Sequence, residues 1–220
     1  MTRRPAIIPA VVAATIFAFA AGCFNVTRDY QEKFYYQLEY NPPAVSGPAF
    51  DTVVVRVGSF QVAPSYQSQK ILYSTSKRKR KPYEYHLWIV NPGDMIADLL
   101  VRDMIEAKQY RAVVDVRSSI NPDYEIEGII DEIYEKDDND TWFSVLQMRV
   151  ILMSHQGGKK SVLFQRNYRE SHQAETHTPE SVVTAMSAAT KILSSKIQAD
   201  VSAAVADHEA KKASEVAATP

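Results

Sequence analysis

The sequence predicts an α+β fold, a two-layer sandwich in which one mainly antiparallel sheet carries two amphipathic helices on one face. Short segments rich in Val, Ile, Tyr and Trp alternate with turn residues along most of the chain, as is typical of strands. Two other segments repeat apolar residues every three or four positions, which is the helical period. Cys23 is the single cysteine, so core packing and not disulfide bonds must hold the fold together.

Five segments outside the central part of the chain read as strands. Residues 34–40 and 83–88 are aromatic and suit a half-buried sheet. Residues 53–57 are apolar on both faces, which indicates a strand inside the sheet. Residues 71–73 and 112–116 form two more short extended segments.

Three longer extended runs follow the first helix. They cover residues 124–134, 142–152 and 161–168. The polar stretches 137–140 and 156–159 separate them and read as tight turns. Two short polar turns between apolar runs predict an antiparallel meander.

Both helices have recognisable first turns. Asn91 is placed to cap the first helix and Pro92 to occupy its first position; Thr178 and Pro179 do the same for the second. The second helix has one continuous apolar stripe, formed by Val182, Met186, Ala189, Leu193, Ile197, Val201 and Val205. Beyond residue 208 there is little to bury, and we expect a flexible tail over residues 209–220.

The first 22 residues have the composition of an export signal. Arg3 and Arg4 precede a short apolar stretch, which Pro9 interrupts and which ends on small residues before Cys23. The stretch is marginal for a membrane span, which needs about 20 apolar residues. The small residues before Cys23 resemble the lipobox of bacterial lipoproteins, in which the leader is removed and the cysteine carries acyl chains such as palmitate.

An ordinary signal peptide, cleaved near Ala21 or Gly22, is the alternative interpretation of this leader. With the lipoprotein interpretation the chain divides into a signal peptide (1–22), a lipidated tether (23–33), a single domain (34–208) and the tail (209–220). The whole chain has a formal charge of −1, and the leader contains two arginines and no acid. A weakly acidic exported domain gives no reason to expect nucleic acid as a partner.

No group of residues in the sequence has the spacing of a catalytic or metal site. His172 and His177 are five positions apart, whereas a helical zinc site needs three or four. The acidic turn at 137–140 lacks the glycine and the distal glutamate of a calcium loop. We therefore predict that the protein is not an enzyme, and that it has no cofactor apart from covalent lipid on Cys23.

One segment is a candidate for contact with a partner or with lipid. The candidate residues are a basic run and the aromatic residues that flank it: Lys77, Arg78, Lys79, Arg80, Lys81, Tyr66, Tyr73, Tyr83, Tyr85 and Trp88. In one interpretation the run is a solvated hairpin tip and the aromatic residues belong to the core. In the other it is an electrostatic patch against anionic lipid head groups or an acidic partner surface.

An ordered set of short motifs gives a family resemblance. The motifs are Tyr35-Tyr36-Gln37-Leu38, Pro64-Ser65-Tyr66 after the valine-rich strand, Leu72-Tyr73, Tyr83-Glu84-Tyr85, Trp88 and the helix from Pro92 to Leu100. Their order resembles the auxiliary lipoproteins of lipid-handling ABC transport systems, the paraquat-inducible protein C-like family. The ordered features cover nearly all of the exported part, and the specific motif covers about 35 residues near residues 66–100.

The resemblance implies a role without catalysis. Such proteins work on the periplasmic face of a membrane beside a permease, an ATPase and substrate-binding proteins of the MlaD/Mce type, and some resemble ring-forming collars. The expected partners are therefore MlaD/Mce-type proteins, the membrane through the lipid anchor, and further copies of the chain. Phe24, which stands where an aspartate would favour the inner membrane, favours the outer membrane.

A monomeric periplasmic lipid carrier or chaperone is the alternative function. In that case the sheet and the last helix would enclose an acyl chain in an apolar cavity. A third function, a periplasmic hydrolase, lacks a candidate nucleophile, base or metal cluster in the sequence.

Overall fold

The computed structural model describes residues 30–76, 78–156 and 159–217. Contacts along the chain define two units, residues 1–32 and residues 33–220. Within the first unit residues 30–32 are described, and they form neither helix nor strand. The predicted signal peptide, the proposed acylation site Cys23 and most of the tether lie outside the described residues.

Eight strands and two α-helices are described within residues 33–220. In chain order they are β1 (Phe34–Tyr36), β2 (Phe50–Val62), β3 (Lys70–Ser76), β4 (Lys79–Trp88), α1 (Pro92–Ala107), β5 (Tyr110–Val114), β6 (Tyr124–Asp138), β7 (Thr141–Gln156), β8 (Lys159–Gln173) and α2 (Pro179–Ala217). One turn of 3-10 helix, Pro64–Tyr66, connects β2 to β3. The α+β sandwich predicted from the sequence is confirmed.

Strand β6 is the centre of the sheet. Strand β7 pairs with β6 along its whole length, from Tyr124 to Asp138. On the other edge of β6, β2 pairs with residues 124–130 and β3 with residues 135–136. Strand β5 extends the sheet beyond β2. Strand β4 extends it beyond β3, and β1 lies beyond β4.

The sheet is mixed. Its long pairings, β6 with β7 and β7 with β8, are antiparallel and form the predicted meander, and β3 with β4 is also antiparallel. The four shorter pairings, β1 with β4, β2 with β5, β2 with β6 and β3 with β6, are parallel. Parallel neighbours need long crossover connections, and here α1 lies in the connection between β2 and β5.

The turn between β6 and β7 has the chemistry that a two-residue hairpin requires. Asn139 and Asp140 have φ values of 52° and 61°, and Asp138 pairs with Thr141 on either side of them. Asn and Asp tolerate this left-handed region better than most residues. The predicted turn is confirmed; the next turn, at residues 157–158, lies outside the described residues.

Both helices begin where the sequence predicts. Asn91 Oδ1 accepts a hydrogen bond from the backbone N–H of Gly93 at 2.8 Å. Thr178 Oγ1 accepts one from the backbone N–H of Ser181 at 3.2 Å. In both cases a side-chain oxygen satisfies an N–H group that the first helical turn leaves without a partner.

Two glycines allow Phe60 of β2 to connect the sheet with α1. A Cβ on Gly93 would lie 2.0 Å from the Phe60 carbonyl oxygen, so the first turn of α1 packs directly on the backbone of β2. A Cβ on Gly128 would lie 2.6 Å from the Phe60 ring, which covers this glycine of β6. Larger residues at either position would force α1 or the ring away from the sheet.

Helix α2 is buried along two stripes. All seven residues of the predicted apolar stripe are buried. A second stripe, which the apolar pattern of the sequence does not predict, consists of small or polar residues that are also buried: Ser187, Thr190, Ser194, Gln198 and Ser202. The helix also continues to Ala217, past the end predicted near residue 208. Tyr124 contacts the start of this extension, because its hydroxyl lies 2.9 Å from His208 Nδ1 and donates to Glu209 Oε1 at 2.6 Å.

Residues 37–49, here called the strap, connect β1 to β2 without regular structure. Side chains of the helices hold the strap. The backbone N–H of Leu38 donates to Met95 Sδ of α1, and that of Glu39 donates to Ser187 Oγ of α2, both at 3.1 Å. The Tyr40 hydroxyl donates to Asp103 Oδ2 at 2.8 Å.

Asp103 joins the strap to both helices. Its side chain is fully buried on α1, and it accepts hydrogen bonds from Tyr40 and from Ser194 Oγ of α2, the latter at 2.6 Å. The guanidinium of Arg102 donates two more, at 2.7 and 3.0 Å. A buried carboxylate is tolerated when its charge and its lone pairs are satisfied in this way.

Both helices cover the same face of the sheet, as predicted. Phe60 of β2 and Met148 of β7 meet Leu100 of α1 and Ile197 of α2 around one narrow cleft. No described helix covers the opposite face, where Arg149 forms a bidentate ion pair with Asp131 across β6 and β7.

Replacing Asp103 by alanine should destabilise the domain by about 3 kcal/mol, because Arg102, Tyr40 and Ser194 would all lose a buried partner. Asp98→Ala is the matched control, since the Asp98 side chain lies on the same helix and is 68% exposed. It should change the free energy of unfolding by less than about 0.5 kcal/mol. Urea unfolding of the two variants and the wild type measures both values. Equal losses for the two variants would contradict the role given to Asp103.

Candidate functional site

The β3–β4 hairpin contains eight of the ten candidate contact residues among those the structure describes, and Tyr66 lies in the 3-10 helix before it. Arg78 occupies the turn, and Lys79, Arg80 and Lys81 begin β4. Lys77 lies outside the described residues. The hairpin with an exposed tip, predicted from the basic run, is therefore present.

Two of the aromatic candidates belong to the hydrophobic core. Tyr66 is 8% exposed and its ring stacks on that of Tyr134 with centroids 6.1 Å apart. Trp88 is 3% exposed and belongs to the same core cluster. The core interpretation of these two residues replaces the contact interpretation, because their rings are not available to a partner.

The other three tyrosines are half-buried on the hairpin. The rings of Tyr73 and Tyr83 pack against each other with centroids 4.6 Å apart. The Tyr83 hydroxyl donates to Glu135 Oε2 of β6 at 2.7 Å. These two tyrosines therefore support the hairpin against β6, while each retains some exposed surface.

The basic run separates into structural and exposed cations. Arg80 is structural: its Nη1 donates to Ser74 Oγ at 2.9 Å, and its guanidinium lies 3.8 Å from the centroid of the Tyr134 ring. Arg78, Lys79 and Lys81 are exposed. We call these three residues the basic tip.

A buried polar cluster beneath the hairpin was not identified in the sequence. Glu135 is 1% exposed and accepts the hydrogen bond from Tyr83, whose ring makes an edge contact with His86 at 5.4 Å. His86 Nδ1 is hydrogen-bonded to the Tyr36 hydroxyl at 2.9 Å. The signal in the sequence is a carboxylate that directly follows the apolar pair Ile133–Tyr134 of β6, and the alternation of that strand made it inconspicuous.

Burial governs the protonation of this cluster. It raises the pKa of Glu135 to about 7, although the hydrogen bond from Tyr83 acts in the opposite direction. It also raises the pKa of Tyr83 far above its ordinary value and lowers the pKa of His86. Near neutral pH the Glu135 carboxyl is thus partly protonated inside the sheet.

The described residues contain no group of three or more His, Cys, Asp or Glu side chains that could hold a metal ion. His177 stacks on Trp142 with ring centroids 5.2 Å apart.

None of the described helices combines the length and the apolarity that a membrane span needs.

Comparison with protein families gives a match over residues 36–198 to the ABC-type transport auxiliary lipoprotein component. The chain belongs to this family. Membership confirms the resemblance based on the tyrosine motifs, and it gives the protein an auxiliary role in ABC-type transport in the bacterial cell envelope.

Solved structures of similar proteins agree on the fold. The crystal structure of protein XCC0632 from Xanthomonas campestris, of the family DUF330, is 13% identical to the auxiliary lipoprotein with a TM-score of 0.72, and the match covers 80% of this chain and 98% of that one. A crystal structure of an uncharacterized protein is 14% identical with a TM-score of 0.61, covering 78% and 99% of the two chains. The comparison with curated proteins gave no match.

Glu135 should make the stability of the auxiliary lipoprotein depend on pH. Because its pKa is higher in the folded chain than the ordinary 4.5, the folded state retains its proton more strongly. The contribution of this protonated carboxyl to the free energy of unfolding is complete below pH 4.5 and is lost as the pH rises through 7. Glu135→Gln keeps an acceptor for Tyr83 and removes the charge. At pH 8 this variant should therefore be more stable than the wild type by about 3 kcal/mol, because each unit of the difference between the folded and ordinary pKa of Glu135 corresponds to about 1.4 kcal/mol.

Urea unfolding at pH 5 and pH 8 measures this effect. Glu84→Gln is the control, because the Glu84 side chain lies on neighbouring β4 and is 66% exposed. The assignment would fail if Glu135→Gln left the stability difference between the two pH values as large as in the wild type.

Proposed function

We propose that the chain is a membrane-anchored periplasmic component of a lipid transport system of the ABC/MlaD type, in which it acts as a docking or collar subunit and not as a catalyst. The match to the auxiliary lipoprotein family over residues 36–198 is the observation that carries this proposal. Acylated Cys23 would attach it to the outer membrane. An anchor with several acyl chains binds far more strongly than a single chain, which alone gives marginal attachment.

The packing of the domain supports a docking subunit more than a lipid carrier. A carrier needs an apolar cavity that can enclose an acyl chain. The apolar cleft between the helices and the sheet, lined by Phe60, Leu100, Met148 and Ile197, has a volume of ≈ 10 Å³. That is about the room of one water molecule. The large side chains at this centre therefore fill the space that a lipid would need.

The basic tip supports contact with an acidic surface of the partner. Arg78, Lys79 and Lys81 project from a hairpin that Arg80 and Tyr83 hold against β6. Cations held on a supported hairpin lose less conformational freedom on binding than cations in a flexible segment. We assign the acidic surface to an MlaD/Mce-type protein.

Strand β8 supports a homo-oligomer. It pairs with β7 alone, so the backbone groups along its outer edge have no strand partner among the described residues. An edge that extends from Lys159 to Gln173 offers a long template for a neighbouring copy.

Crosslinking in native membranes tests the proposal. After gentle extraction, mass spectrometry should identify MlaD/Mce-type proteins together with a high-mass homo-oligomer of this chain. Recovery of a monomer with one equivalent of bound lipid would instead establish the carrier and overturn the docking subunit.

A triple variant tests the basic tip. Arg78→Gln, Lys79→Gln and Lys81→Gln together should reduce crosslinking to the partner about tenfold at low salt, and less at high salt, where screening already weakens the wild-type contact. Arg80 is kept because of its structural role. Lys211→Gln with Lys212→Gln, exposed near the end of α2, is the matched control and should crosslink like the wild type. Unchanged crosslinking of the triple variant would exclude the tip as the contact.

A further inference from the structure

Four exposed apolar residues lie at the β1 edge of the sheet. Phe34 and Tyr35 belong to β1, and Ile89 and Val90 directly follow β4; each is between 44% and 57% exposed. Tyr35 is paired with Leu87, and the backbone N–H of Ile89 donates to the carbonyl oxygen of Tyr36 at 2.8 Å. Phe34 and Tyr35 are successive strand residues and point to opposite faces of the sheet, so the four side chains lie around its edge and do not share one face. We call these four residues the edge patch.

The edge patch is a fixed part of the domain. The ring of Phe34 stacks on that of His86 with centroids 5.3 Å apart, and the Tyr36 hydroxyl is bonded to the same imidazole. Trp88, at the end of β4, is buried in the core. Because these contacts hold the backbone of β1 in place, the apolar side chains remain exposed. A group of apolar side chains that the fold holds in the solvent at one edge of the sheet is a candidate contact surface.

The edge patch is also the part of the domain nearest to the lipid anchor along the chain. Phe34 follows Cys23 by 11 positions. A fully extended connection of this length spans at most roughly 40 Å, and a flexible one has an average span of about 20 Å. An anchor at Cys23 therefore leaves the edge patch within reach of the head groups.

We propose that the edge patch rests on the head-group layer of the membrane in which Cys23 is anchored. This inference depends on the lipid anchor of the proposed function. Aromatic rings beside aliphatic side chains suit the boundary between head groups and acyl chains, and exposed Lys33 adds attraction to anionic lipid.

The size of the edge patch favours lipid over a second copy of the chain. A stable protein interface usually uses about 20 to 30 residues on each side, whereas the patch has four. Strand β1 is three residues long, so it offers few backbone groups to another strand. Shallow contact with head groups needs neither a large area nor a complementary surface, because the lipid anchor already supplies the attachment.

The contact would leave the basic tip free for a protein partner. Strand β4 extends from the tip at Lys79 to Trp88 beside the patch, which is about 30 Å along the strand. One strand therefore connects the membrane contact to the partner contact.

Depth-dependent quenching in vesicles tests the proposal. Cys23 is the single cysteine, so acylation leaves the full-length lipoprotein without a free thiol. Val90→Cys places a unique thiol in the edge patch, and Val162→Cys places one at a 62% exposed apolar position of β8 as the matched control. Both variants carry an NBD label in vesicles of phosphatidylethanolamine and phosphatidylglycerol that contain doxyl-labelled lipid.

The label at position 90 should be quenched about twofold or more relative to the label at position 162, as expected for a group at the head-group level. Adding Tyr35→Ser, at an exposed position, should reduce the quenching at position 90. Equal quenching at both positions, or none, would overturn the proposal. So would crosslinking through position 90 to a second copy, which would make the patch a subunit interface.

The same experiment separates this inference from the proposed function. If the wild-type protein takes the label at Cys23, the thiol is free and the lipid anchor of the proposed function is wrong. If Cys23 is acylated and position 90 is not quenched, the anchor stands and the membrane contact of the edge patch alone is wrong.

Discussion

The buried carboxylate of Asp103 is the interaction on which the arrangement of the helical layer depends. It brings together residues 40, 103 and 194, which are far apart in the chain, and it accepts hydrogen bonds from all three segments that lie over the sheet. A buried charge is costly unless its partners are in place. All three segments are therefore needed to satisfy the carboxylate, and apolar packing against Phe60 and Met148 holds the layer on one face.

The domain is suited to act by position. Its centre is filled by large side chains, and its exposed features lie at opposite ends of β4. At one end the edge patch lies close along the chain to Cys23; at the other the basic tip projects on a hairpin supported by Arg80 and Tyr83. In the proposed function, two such surfaces on a rigid support would hold a partner at a defined place on a membrane.

The candidate site was only partly predictable. The run of cations at 77–81 located an exposed hairpin tip, because five successive basic residues cannot be buried. The flanking aromatic residues could not be assigned, since tyrosine and tryptophan are enriched both in cores and in interfaces. The tertiary structure decided between the two: Tyr66 and Trp88 are covered, while Tyr73, Tyr83 and Tyr85 keep some exposed surface. Glu135 likewise became notable only when its position between β3 and β7 was known.

The sequence by itself determined the features that depend on neighbouring residues: the caps at Asn91 and Thr178, the turn at Asn139 and Asp140, the meander and the apolar stripe of α2. Each of these follows from local chemistry or from a short repeat of apolar residues, and both can be recognised within a short segment of the chain. The tertiary structure alone decided the parallel pairings of β2 and β3 with β6, the buried polar stripe of α2 facing the strap, and the extension of α2 beyond residue 208 through Tyr124. These features join residues far apart in the chain, so their energies exist only after the chain has folded and no local pattern records them.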